Sequence, residues 1–327
     1  MTNSYDLLKV NTGSFVRKSL SLLDFENATK KYLGVEKQVL SLKNKPNGIS
    51  QFLYDDFGQK ITIEFSSKIL KSRCKELISV GNISDVVDII NGYGIVEIIK
   101  DQFIFSSEVH KCHVTKDIHL STPVDKVLAL LSRCQIHKKY RHDYDKYAGI
   151  FIKPKSKNNK TALKAYSKFE ELTKNKSKTN KLLLAEIDLA DFENTVRVEV
   201  ELCDFEKMRK YLNLPGNYPP YLENVLNSDS DVVASMLKKI IVDPSDSKLR
   251  KTLLPGFKLN SYDAIFAPLY KDFGNSDYRV IKYIKGMYKS EQYSIVNKYL
   301  DWKATKKLIV LSDEIDLHEF FEKAGAL

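Results

Sequence analysis

The chain is poor in cysteine, and what it has is scattered. Cys74, Cys112, Cys134 and Cys203 are its four cysteines, and no two form a C-x-x-C pair. A disulfide framework is therefore excluded as the organising device, and reduced thiols are expected. Cys112, His113 and Cys203 have the wrong spacing for a zinc module. No apolar run approaches the roughly 20 residues of a membrane span. The opening MTNSYDLLKVN lacks the basic-then-apolar layout of a secretory leader, so a cytoplasmic protein with no membrane partner is expected. Negative charge is the minority sign. Against 42 Asp and Glu stand 52 Lys and Arg, for a net charge of +10 and a pI near 9.1. That balance favours a polyanionic partner, nucleic acid first.

What is present is the composition of a globular protein. Of 327 residues, 43% are hydrophobic and 29% charged, which is too apolar for a disordered chain and enough for a sizeable core. Period-two patterns predict strands at 5–11, 37–42, 94–99, 103–105, 108–120, 148–152 and 196–202, with a hairpin joining 51–55 to 60–66. Helical scatter is expected at 18–33, 71–80, 84–90, 123–132 and 204–212. Lysine-rich loops are expected at 153–160 and 174–181. Beyond a boundary at about 213–220, in LPGNYPPY, the pattern turns helical, at 221–227, 230–242, 262–272, 277–289, 294–304 and 314–325, with KLIVLS (307–312) as one strand candidate. The reading is an α+β fold: a central antiparallel sheet with helices packed on it over 1–214, then a mainly helical domain over 215–327.

The densest chemistry lies in TALKAYSKFEEL, residues 161–172. If its first half is a strand, Lys164, Tyr166 and Lys168 share a face, with Ala165 and Ser167 on the other. An unperturbed tyrosine has a pKa of about 10, so a phenol between ammonium groups suits a tyrosinate nucleophile or a phosphate-binding surface. In VRVEVEL, Val196, Val198, Val200 and Leu202 are expected to be buried, with Arg197, Glu199 and Glu201 on the polar face. In EVHKCHVTKDIHL, His113, Thr115, Asp117 and His119 share a face. Asp117 and His119, two apart on one strand face, could hold a divalent metal through an oxygen and an imidazole nitrogen. Glu64 lies on the polar face of its strand. HKKYRHDYDKY (137–147) interleaves Lys138, Lys139 and Arg141 with aromatics such as Tyr140, a mix that suits single-stranded nucleic acid.

Taken in order, four segments resemble the gene II/X replication initiators of filamentous phages, rolling-circle initiators of the HUH class. Ile63-Glu64-Phe65-Ser66 with Lys68-Ile69-Leu70 is similar to the family's E-x-S…K-x-L strand. Lys116-Asp117-Ile118 is similar to its R-I-D strand, with lysine in place of arginine. Residues 163–172, LKAYSKFEEL, match L-x-x-Y-x-K-x-x-E-L, and Val196-Arg197-Val198-Glu199 is similar to V-R-F-E. The resemblance covers roughly 60–202.

It implies a nicking-and-joining endonuclease in which Tyr166 attacks a DNA phosphodiester, leaving a 5′-phosphotyrosine link and a free 3′-OH. Lys168 would help neutralise the phosphate. Mg²⁺ or Mn²⁺ would be held by Asp117, with Glu199 and Glu64 next. His119 completes an Asp-hydrophobe-His variant of the His-hydrophobe-His pair, a histidine that gene II proteins lack. Lys164, Lys138, Lys139, Tyr140, Arg141 and Arg197 would contact single-stranded or melted origin DNA, and host helicase or polymerase would be further partners. A non-catalytic origin-binding protein of the same fold, and a metal-dependent nuclease using water, are the competing expectations. A structural pairing of Glu199 with Arg197, or of Glu171 with Lys168, is the alternative to a catalytic role for these groups.

Overall fold

The computed structural model describes residues 2–18, 24–32, 35–55, 59–132, 134, 136–144, 149–156, 161–174, 178–241, 262–274, 276–288, 291–309 and 317–326. Its frame is a sheet of ten strands, antiparallel throughout. The strands are β1 (Ser4–Thr12), β3 (Phe25–Tyr32), β4 (Val35–Leu42), β5 (Ile49–Asp55), β6 (Lys60–Ser66), β8 (Glu108–His119), β9 (Tyr140–Tyr144), β10 (Ile150–Pro154), β11 (Ala162–Ser167) and β12 (Thr195–Leu202). Their order across the sheet is β3-β4-β5-β6-β1-β8-β12-β11-β10-β9. Two short strands, β2 (Phe15–Arg17) and β7 (Val96–Ile98), pair separately.

Alternation decides which face is core. On β12, Val196, Val198, Val200 and Leu202 have no solvent exposure, and Val114 and Ile118 of β8 and Leu163 and Ala165 of β11 join them. A one-residue slip would turn every one of these outward. Each fully buried Val or Leu contributes roughly 1.5–3 kcal/mol, so the register is firmly held. Helices α3 (Val124–Leu131), α6 (Phe205–Tyr211), α7 (Leu222–Leu226), α8 (Val232–Ile240) and α12 (His318–Ala324) supply core side chains to the same cluster. Tyr5 reaches through this layer, its hydroxyl donating to Val225 O at 2.5 Å. The opposite, polar face of the sheet is partly roofed by shorter pieces. These are a 3-10 segment (Ser67–Glu76), α4 (Lys168–Lys174), α5 (Lys178–Leu184) and a 3-10 turn (Leu189–Phe192), held by a small cluster of Cys74, Leu172, Leu183 and Phe192.

The α+β class stands, and after residue 220 the described residues are almost wholly helical. The core, however, runs across residue 214. Leu222, Val225, Val233, Met236, Phe320 and Phe321 belong to the sheet's own cluster. A second cluster, Phe266, Val280, Ile281, Ile284, Val296 and Tyr299, joins α9 (Tyr262–Asp272), α10 (Asp277–Met287) and α11 (Gln292–Ile309).

Several expected elements differ. Within 18–33, residues 25–32 are strand β3 on the sheet's edge, and 19–23 lie outside the described residues. Residues 71–80 are not an α-helix; a 3-10 segment ends at Glu76. The expected strand 103–105 is part of helix α2 (Lys100–Ser106): Phe103 is buried, but Phe105 is 70% exposed, so the alternation was not a sheet pattern. In the lysine-rich loop after Lys174, residues 178–181 begin α5. Of the strand candidate 307–312, residues 307–309 end α11, and 310–312 lie outside the described residues. No described helix is long and apolar enough to cross a membrane, and the four cysteines are free.

Candidate functional site

The polar face of the four central strands carries a row of charges fixed by register. Tyr166 on β11 opposes Arg197 on β12, which opposes Asp117 on β8. One step along, Lys164 opposes Glu199, which opposes Thr115; one further, Ala162 opposes Glu201, which opposes His113. Asp6 of β1 completes the first row from the far side, where β1 and β8 shift register between Tyr5 and Leu7.

Arg197 is the hub, with 0% exposure. Its Nε and one terminal nitrogen donate to the two oxygens of Asp117 at 2.7 and 2.6 Å, and the other terminal nitrogen donates to Asp6 Oδ1 at 2.7 Å. This bidentate fork is the strong form of the pair, and the two carboxylates compensate the charge of a guanidinium so buried. Burial opposes the charge on Arg197, but Asp117 and Asp6 outweigh it and push its pKa well above the usual range. Asp6 shows the same balance reversed: burial would raise it, while Lys168, Arg197 and a 2.6 Å bond from Ser67 Oγ hold it well below the usual carboxylate range.

The roof adds a second knot. Lys168, first residue of α4 and almost fully buried, donates to Glu171 Oε2 at 2.9 Å, and Lys68 of the 3-10 segment donates to Glu171 Oε1 at 3.0 Å. Burial would raise Glu171, but these two ammonium groups bring it down to about 2.

Tyr166 lies between the knots and is 7% exposed. Its hydroxyl donates to Glu199 Oε1. The other oxygen of Glu199 stands 3.3 Å from His113 Nδ1, and His113 Nε2 stands 3.4 Å from Glu201 Oε1. Lys164 donates to Glu201. Burial would raise Glu199, but hydrogen bonds from His113 and Tyr166 leave it lowered. Burial, then the charges of Glu199 and Asp6, push the Tyr166 phenol well above its ordinary value. The lysines expected to acidify this phenol do not: Lys168 is spent on Glu171 and Lys164 on Glu201, so the nearest charge the phenol meets is a carboxylate.

The expected metal ligands are not brought together. Asp117 has both oxygens on Arg197. His119 is exposed, its Nδ1 2.9 Å from Thr195 Oγ1, beyond the Arg197 row. Glu64 lies three strands from Glu199, 4.0 Å from Lys9 and 3.9 Å from Lys111, and accepts from Ser50 Oγ at 2.8 Å. Among the described residues no three His, Cys, Asp or Glu side chains are placed to hold a metal ion together. Glu199 and His113, with Oε2 and Nδ1 3.3 Å apart, are the pair whose donor chemistry would fit an ion that takes its remaining ligands from phosphate and water.

Of the expected DNA contacts, Lys138, Lys139 and Arg141 are exposed. Tyr140 is not a stacking surface: its side chain is buried in the main core. Arg197 is likewise closed to DNA by its carboxylate partners. The alternative pairing of Lys168 with Glu171 is present, whereas Arg197 takes Asp117 and Asp6 in place of Glu199. Lys116 points to the other face and donates to Ala324 O at 3.0 Å. Asp6 and Lys68 were missed as partners of this network, and so was His113 as the neighbour of Glu199. Only the position of His113 in the Asp117 alternation could have singled it out.

A search of solved structures aligns the chain with a rolling circle replication initiator protein from Geobacillus stearothermophilus at 14% identity, over 76% of this chain and 91% of that one, with a TM-score of 0.35. So loose a superposition does not establish a shared fold. Neither a scan against protein-family models nor a search of curated proteins found a match.

Proposed function

We propose that the chain is a replication initiator that nicks and rejoins one DNA strand through Tyr166. One observation carries this reading. The four segments that resemble the gene II initiators, separated by up to a hundred residues and more in sequence, supply Lys68, Asp117, Tyr166, Lys168, Glu171, Arg197 and Glu199 to three adjoining groups of buried and half-buried side chains on one face of the sheet. A structural role for each segment separately would not require them to meet.

In the proposed step the Tyr166 oxygen bonds to the scissile phosphorus as the bond to the 3′-oxygen breaks. The phenolic proton passes to Glu199 Oε1, which already accepts it as a hydrogen bond, and the departing 3′-oxygen takes a proton from solvent. The strand's 5′-phosphate remains on Tyr166 until a 3′-OH reverses the exchange. Mg²⁺ or Mn²⁺, held by Glu199 and His113 together with phosphate and water, would supply charge stabilisation at the phosphate. Because the phenol is buried, DNA reaches it only when the side chains that cover it shift.

That same burial favours a second reading, an origin-binding protein of the same fold in which these side chains only stabilise the sheet. Tyr166→Phe separates the two. On the first reading the variant binds origin DNA as the wild type does, and nicking is abolished. On the second the wild type itself never nicks.

A further inference from the structure

We infer that Phe151 is a base-stacking platform for single-stranded DNA, served by Lys153 and Arg141, on the stretch of sheet that leads to Tyr166. The inference rests on the strand-nicking reading and names the surface that would hold the strand.

Phe151 is out of place for a strand phenylalanine. Its neighbours on β10, Ile150 and Ile152, are buried in the main core, so alternation turns Phe151 to the polar face. There it is partly exposed and belongs to none of the apolar clusters formed by the described residues. Two lysines lie against its ring, while Asp143 opposes it across β9. Lys153 Nζ stands 4.2 Å and Lys164 Nζ 5.0 Å from the ring centre. Lys164 opposes Phe151 across β11, and the exposed Arg141 opposes Lys153 across β9. An aromatic ring among ammonium groups, outside any core, is the arrangement by which proteins hold single strands: bases stack on the ring, and cations neutralise the phosphates on either side. The long Lys153 stem allows its ammonium group to move from ring to phosphate as a base arrives, whereas Lys164 is already paired with Glu201. A protein partner is disfavoured, because lysine is depleted where proteins meet each other.

The platform is also placed for the chemistry. Tyr166 is the diagonal neighbour of Phe151 on the same face, a spacing of about 7–8 Å in a regular sheet. Two residues before Phe151 the chain has Gly149, where an added Cβ would stand 2.6 Å from Tyr166 Cβ. No side chain therefore rises between the platform and Tyr166 on that strand.

The test is fluorescence anisotropy of a labelled oligo-dT titrated with the full chain in EDTA, over a series of salt concentrations. Phe151→Leu is expected to weaken binding about 5- to 160-fold, the range for losing one stacked base, with an unchanged slope of log K against log salt. Lys153→Gln is expected to make that slope shallower by about one. Phe151→Trp is expected to bind as the wild type does, with a new tryptophan emission quenched by DNA. Wild-type affinity in the Phe151→Leu variant, or no oligo-dT binding by the wild type, overturns the platform. Loss of binding in Phe151→Leu without any adduct on Tyr166 would keep the platform and remove the nicking reading. Adducts with normal binding by Phe151→Leu would do the reverse.

Discussion

Arg197 sets the character of the site, because its neighbours are arranged to compensate the charge of a wholly buried guanidinium. Removing one member of such a group leaves the others buried and uncompensated, at a cost of about 3–5 kcal/mol. Arg197→Leu is accordingly expected to lower stability by about that amount in urea unfolding. Arg197→Lys should recover only part of it, since an ammonium cannot take both oxygens of Asp117 and reach Asp6 as well. A neutral effect of Arg197→Leu would show that the fork is not formed.

Glu171 gives a pH signature at the same scale. Its pKa is depressed from 4.5 to about 2, so its contribution is fully present above pH 4.5 and is lost as pH falls through 2. Other carboxylates titrate in that window, so the readout is a difference. The stability gap between wild type and Glu171→Gln should be largest above pH 4.5 and close as the pH approaches 2.

At the scale of elements, the strands that position the site were legible in the sequence because one face of each is mainly apolar and the other mainly polar. Strict alternation in VRVEVEL and in EVHKCHVTKDIHL places Arg197, Glu199 and Asp117 on one face, as β12 and β8 do. Strand β3, FENATKKY, was not legible. It is an edge strand whose charged residues suit an unpaired edge, and over 25–29 only Phe25 is buried. The pairing of Arg197 was equally hidden, since Asp6 lies 191 residues away and only the order of strands brings it near. Gly149 supplies the element-scale prediction. An added Cβ would stand 2.4 Å from the Ala165 carbonyl oxygen, so Gly149→Ala must push β10 away from β11. A loss of about 1–3 kcal/mol in thermal unfolding is expected, with altered near-UV dichroism from Tyr166. An unchanged melt would place β10 and β11 further apart than described.

For the whole molecule, the shared core makes a prediction about cutting the chain. Residues 1–214 lack Leu222, Val233, Met236, Leu237, Phe320 and Phe321, which cover the apolar face of β8 and β12. Expressed alone, that fragment is expected to be molten or aggregated. A chain in which a short linker replaces 262–309 should keep a cooperative melt, because the side chains lost there belong mainly to the second cluster. A folded 1–214 would contradict the shared core.

The central claim is that Tyr166 becomes covalently joined to DNA. The most direct measurement is to incubate the full chain with Mn²⁺ and supercoiled DNA carrying candidate origins from its own replicon, digest both polymers, and map phosphotyrosine by mass spectrometry. The account predicts a nucleotide adduct on Tyr166 that is absent from Tyr166→Phe. An adduct on another tyrosine, or tight origin binding with neither nick nor adduct, would contradict it.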